Sequence, residues 1–120
     1  MGKNKPKLAI IGAGKMGEAM ISGLLKSGEY KPRDIQAFEI IEDRRNYMSQ
    51  KYNIACVKDA KKAASFADIT IIAVKPGDVK NALEQIAPAI KRGKIVVSIA
   101  AGVTLEFLRK YLPKNVAVVR

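Results

Sequence analysis

The sequence has no histidine and no tryptophan, one cysteine, four tyrosines and three phenylalanines. Without histidine it lacks the commonest metal ligand and the commonest general base near neutral pH, which argues against zinc sites and hydrolytic triads. No metal is expected. A lone Cys56 has no partner for an intramolecular disulfide, so no oxidising compartment is implied and a cytoplasmic location is expected. Long apolar runs are missing too. Leu8 to Ile11 and Ile69 to Val74 fall far short of the roughly 20 residues a membrane span requires, and no signal-peptide core follows the basic start. A soluble chain with no membrane partner is expected.

Acidic residues are also scarce, 11 against 22 basic ones, and the net charge of +11 favours anionic ligands. Nucleic acid is one such ligand. However, the lysines are dispersed, and the one dense basic stretch, Lys3, Lys5 and Lys7 interrupted by Pro6, reads as a solvated start. No nucleic-acid reader motif accompanies the charge, and few aromatics are available to stack on bases, so nucleic acid is not the expected partner. A dinucleotide is anionic as well.

The composition is that of an ordinary globular protein, 48% apolar and 28% charged, and 120 residues suit a single domain spanning 1–120. Lys7 to Ile11 is a short apolar run ended by glycine, the pattern of a strand buried on both faces. From Lys15 to Lys26, Met16, Ala19, Met20, Gly23 and Leu24 recur at helical spacing, with Gly28 placed to close the helix. The alternation continues with strand Asp34 to Glu39, helix Glu42 to Tyr52 closed by Asn53, and strand Ile54 to Val57. A short helix Ala60 to Phe66, strand Ile69 to Val74, and a helix Val79 to Ile90 capped by Asp78 come next. Strand Lys94 to Ile99, a helix from the Thr104 cap through Leu112, and strand Val116 to Val119 complete the series. Strands and helices alternating at this spacing specify a doubly wound α/β fold of the Rossmann type, a parallel sheet covered on both faces with six strands in order 3-2-1-4-5-6.

Gly12-Ala13-Gly14-Lys15-Met16-Gly17 is a G-x-G-x-x-G joining the first strand to the first helix, with acidic Glu39 about 20 positions further on. Context makes this a strong dinucleotide fingerprint. Gly12 permits the tight turn, Gly14 lets the backbone approach a pyrophosphate, and Gly17 lets helix and strand pack closely. The helix N-terminus presents unpaired N–H groups and a positive dipole end to the phosphates. Lys15 is expected to be exposed, beside the phosphates. Glu39, at the end of the second strand, is suited to accept hydrogen bonds from the adenosine ribose and to repel a 2′-phosphate, which favours NADH over NADPH. Arg44 and Arg45 form either a solvated helix face or, swung inward, a 2′-phosphate site. Two stretches at later strand ends, Ala73-Val74-Lys75-Pro76-Gly77 and Ser98-Ile99-Ala100-Ala101-Gly102-Val103, lie at the edge where open α/β sheets bind ligands. Chemistry alone leaves them equally readable as strand-to-helix punctuation, and Lys75 as cofactor-edge group or ordinary solvated lysine.

Taken together, Gly12 to Ala19, Ala73 to Pro76 and Ser98 to Thr104 resemble the pyrroline-5-carboxylate reductase family, over essentially Lys7 to Arg120. That resemblance implies reduction of the cyclic imine 1-pyrroline-5-carboxylate to L-proline with hydride from NAD(P)H. It implies that Ile11, Gly12, Ala13, Gly14, Lys15 and Met16 hold the pyrophosphate. It also implies that Ala73, Val74, Lys75 and Pro76, with Ile99, Ala100 and Ala101, line the nicotinamide-ribose end. Two departures from the family stand out. Members favouring NADP carry small hydroxyl residues near the end of the second strand and an amide near the position of Ala60; Glu39 and Ala60 stand there. The family also continues, past the equivalent of Val119-Arg120, into an all-helical domain that supplies substrate contacts and the homo-oligomer interface. The expectation is therefore a cofactor-binding domain without catalytic side chains of its own, binding NAD(P)H but turning over imine poorly. Related readings are a reductase of the 3-hydroxyacid dehydrogenase or deazaflavin-NADP type, and a non-catalytic NAD(P)-sensing module.

Overall fold

A computed structural model describes residues 5–120. Six parallel strands, β1 Leu8–Ile11, β2 Ile35–Phe38, β3 Ala55–Val57, β4 Ile69–Ile72, β5 Ile95–Ser98 and β6 Ala117–Val119, form one sheet in the order β3-β2-β1-β4-β5-β6. This is the expected order. Central β1 is buried along its whole length and pairs in register with both neighbours, Leu8 beside Ile35 and Ile69. Helices α1 Lys15–Lys26 and α2 Glu42–Tyr52 pack on one face with Leu8, Ile10, Ile35, Ala37 and Ile71. Helices α3 Ala60–Phe66, α4 Val79–Ile86 and α5 Leu105–Tyr111 pack on the other, with Ala9, Ile11, Phe38, Ile72, Val96 and Val118.

Several local expectations are corrected. The strands are trimmed by one or two residues at their ends. Asp34 belongs to a 3-10 turn, Pro32–Asp34, whose buried carboxylate accepts the Lys31 N–H and pairs with Lys7 Nζ at 2.8 Å. Lys5 is exposed, as expected of a solvated start, and makes a surface ion pair with Glu29, while Lys3 lies outside the described residues. Helix α4 stops at Ile86 and gives way to a 3-10 turn, Ala87–Ala89, because Pro88 has no N–H to continue the ladder. Asp78 makes no capping bond with its side chain; it ends a 3-10 turn begun by Pro76, whereas Thr104 and Asp59 do cap their helices. On α1 the buried residues are Gly17 and Ile21, while Met16, Ala19 and Gly23 are exposed. Nor is the sheet covered evenly. On the α1/α2 face, Ile95 and Val97 of β5 are only half-buried, and Ala117 and Val119 of β6 are exposed. Among the described residues no helix is long and apolar enough to cross a membrane, and no cluster of acidic or thiol groups is arranged to hold a metal.

Candidate functional site

The three fingerprint glycines stand in different surroundings, and at two of them, Gly12 and Gly17, the fold itself demands glycine. Gly12 turns the chain at φ +109°, and a Cβ there would lie 2.9 Å from Val74 Cγ1 and 3.0 Å from the Ala73 backbone just past β4. Its N–H donates to the Phe38 carbonyl, fixing the turn to β2 as well. At Gly17 a Cβ would sit 2.1 Å from the Gly12 carbonyl oxygen, so only glycine allows α1 to approach β1 this closely. Gly14, the N-cap of α1, has nothing within 4 Å of where its Cβ would be. Its open side faces a cleft. The first-turn N–H groups of α1 have no partner within the helix and are available to an anion there.

That cleft, of about 360 Å³, lies across the C-terminal ends of β1, β2 and β4. Gly12 and Gly14 form its floor; Phe38, Glu39, Ile40 and Ile41 one side; Ala73, Val74 and Lys75, with Asp78, Asn81, Ala82 and Gln85 of the following turn and α4, the other. Glu39 accepts the Ala13 N–H through Oε1 and the Ile41 N–H through Oε2, each at 3.1 Å. Each carboxylate oxygen keeps acceptor capacity for a hydroxyl. Beyond it, Ile40 and Ile41 are 71% and 60% exposed, an apolar shelf at the mouth on which a flat base can rest.

Of the residues singled out from the sequence, Gly12, Gly14, Glu39, Ala73, Val74 and Lys75 meet in this cleft. Ile11, Ala13 and Gly17 are buried beneath it, and Lys15, Met16 and Pro76 are exposed beside it. Ile99, Ala100 and Ala101 follow β5 and do not line it. The sequence reading missed Ile40, Ile41, Asn81 and Gln85. Two adjacent isoleucines directly after Glu39 were a usable signal; the amides, spaced along a helix, look like an ordinary solvent face.

The solvated-face reading of the two arginines is corrected. Arg44 donates Nε–H to the Ala13 carbonyl and a terminal N–H to Glu18 Oε1 at 2.7 Å, with its guanidinium 4.8 Å from the Tyr47 ring centre. Arg45 donates to the carbonyls of Glu39 and Ile40, both at 2.9 Å. Glu18 also accepts from the Tyr47 and Tyr52 hydroxyls, and Lys51 lies 3.5 Å away. Those hydroxyl bonds, and then Arg44, hold its carboxyl down at about 2, against the desolvation that opposes them. Cys56, on β3 beneath α2, is the opposite case: burial, reinforced by the Glu39 charge, pushes its thiol up to about 11.

Residues 7–102 match the family model described as NADP oxidoreductase coenzyme F420-dependent. The chain belongs to that family. It is 36% identical over 115 residues to pyrroline-5-carboxylate reductase 2 of Bacillus subtilis, covering 95% of this chain and 41% of the relative. Among solved structures it is similar to a pyrroline-5-carboxylate reductase from Coxiella burnetii, with TM-score 0.90 and 28% identity over 96% of this chain and 43% of that one. It is also similar to the Plasmodium falciparum pyrroline carboxylate reductase with NADP bound, with TM-score 0.83, covering 98% of this chain and 42% of that one; at 21% identity this likeness carries the fold alone. The chain thus spans about two-fifths of the length of the relatives it matches.

Proposed function

We propose that residues 1–120 form the NAD(P)H-binding domain of a pyrroline-5-carboxylate reductase, which reduces 1-pyrroline-5-carboxylate to L-proline in the last step of proline biosynthesis in the cytoplasm. The observation that carries the reading is the floor of the cleft: Gly14 opens into free space between the first turn of α1 and the carboxylate of Glu39. A pyrophosphate fits over Gly14 and the N–H groups of Lys15 and Met16, the adenosine ribose fits against Glu39, and the base fits between Ile40–Ile41 and Asn81–Gln85. The 36% identity to a reductase of this activity supports the substrate. Ala73 to Pro76 and Ile99 to Ala101 are assigned to the nicotinamide-ribose end.

The bound nicotinamide supplies the hydride that reduces the C=N bond. This chain's own residues bind and orient the dinucleotide, which is most of what hydride transfer to an electrophilic imine asks of a protein. No catalytic side chain is assigned to it. Substrate contacts and the homo-oligomer interface are assigned to a helical domain of the parent enzyme, so the 120-residue chain alone should bind cofactor with very little turnover. Robust proline formation by it would overturn this division.

Glu39 favours NADH. Arg44 is committed to Glu18 and Ala13, so a 2′-phosphate would have to call on Arg45, two of whose donor groups remain uncommitted. Titration of the chain with NADH and NADPH at two salt concentrations tests this, and NADH is expected to bind more tightly. Tighter NADPH binding would keep the site and move the 2′ contact to Arg45. No binding of either would reject the reading.

A further inference from the structure

Ala13, between the first two glycines of the fingerprint, has both its backbone groups taken by side chains from outside the loop. Its N–H is held by Glu39, and its carbonyl by Arg44. A peptide unit is planar and trans, so its C=O and the following N–H point in opposite directions. The Ala13 carbonyl is held toward α2. The Gly14 N–H of the same peptide unit therefore points away from the Arg44 guanidinium, and Gly14 itself borders the cleft.

Resting on the dinucleotide reading above, we propose that Arg44, braced by Glu18, is a positioning residue for the pyrophosphate, fixing the Ala13–Gly14 peptide so that the Gly14 N–H is aimed at it before the ligand arrives. Arg44 does not line the cleft; it acts through the peptide. Its own freedom is small. One side of the guanidinium is bonded to Glu18, its central carbon sits over the Tyr47 ring, and Glu18 is in turn bonded by Tyr47 and Tyr52. Charge-assisted bonds of this kind hold geometry better than neutral ones. A peptide whose orientation is set in advance loses less freedom on binding.

The test compares ligands with and without the pyrophosphate. NADH, ADP-ribose and adenosine are titrated into the 120-residue chain by NMR, with thermal unfolding measured alongside. Arg44→Met should weaken NADH and ADP-ribose by about tenfold and leave adenosine, which has no pyrophosphate, unchanged. Arg44→Lys, which restores one donor, should recover part of the loss. Asp34→Asn, at the opposite edge of the sheet, serves as the control: it should lower the melting temperature without changing the ratio of the affinities. An Arg44→Met variant in which ADP-ribose and adenosine weaken equally, or neither weakens, overturns the positioning role while leaving the dinucleotide site intact. Failure of the unmodified chain to bind NADH or ADP-ribose overturns the site reading and this inference with it.

Discussion

Helices α2 and α4 lie on opposite faces of the sheet and are held there by different means. Helix α4 buries Val79, Ala82, Leu83 and Ile86, a complete apolar stripe, against the strands. Helix α2 buries only Met48, and is otherwise fastened by Arg44, Tyr47, Tyr52 and Lys51 closing around Glu18 of α1. Both flank the cleft, yet their polar residues do different work. On α4 the apolar anchor leaves Asn81 and Gln85 free to line the cleft, while on α2 the polar residues are spent on holding the helix and the fingerprint loop. Apolar burial sets how tightly a helix is held, whereas directional hydrogen bonds set how precisely a neighbouring loop is aimed.

Three measurements sharpen that contrast. The largest effect should come from Leu83→Ala, which removes a fully buried side chain from the apolar face and should cost about 2–5 kcal/mol in chemical unfolding, with dinucleotide affinity little changed in the folded fraction. A cost below about 0.5 kcal/mol, a size ordinary for surface substitutions, would show that α4 is not anchored as described. Gly17→Ala should come next. Its methyl group would press on the Gly12 carbonyl, so a loss of about 1–3 kcal/mol, together with weakened NADH binding, is expected. Unchanged stability and affinity would mean that α1 and β1 can separate freely.

The smallest effect concerns Glu18 and is read as a function of pH. Its carboxyl titrates near 2 in the folded chain, below its ordinary 4.5. A depressed folded value means that the stability it contributes is fully present above about 4.5 and is lost as pH falls toward 2. Comparing acid unfolding of the chain with that of Glu18→Gln should show a shallower decline for the variant over that window. Parallel curves would remove Glu18 from the account of how α2 is held.

The strand order was readable in advance because short apolar or β-branched runs alternate with helix-length segments, and that alternation specifies a parallel sheet. The fingerprint and Glu39 were readable because glycine spacing reports backbone geometry directly. The packing face of α1 was not. Hydropathy selects Met16, Ala19 and Met20, whereas the helix meets β1 through Gly17, whose contribution is the absence of a side chain. Likewise Arg44 and Arg45, beside Glu42 and Asp43, look like a surface charge cluster, and only the folded chain brings them to carbonyls that precede them in the sequence. Pro88 was visible, but how abruptly it would end α4 depended on the turn that follows.

The half-buried sulfur of Cys56 has a practical side. With its thiol raised to about 11, almost none of it is thiolate at neutral pH, and thiolate is the form that alkylating dyes and mild oxidants attack. A second cysteine introduced on the rim of the cleft would therefore outcompete it for a maleimide fluorophore. The sequence should therefore serve, at neutral pH, as a low-background host for single-site labelling.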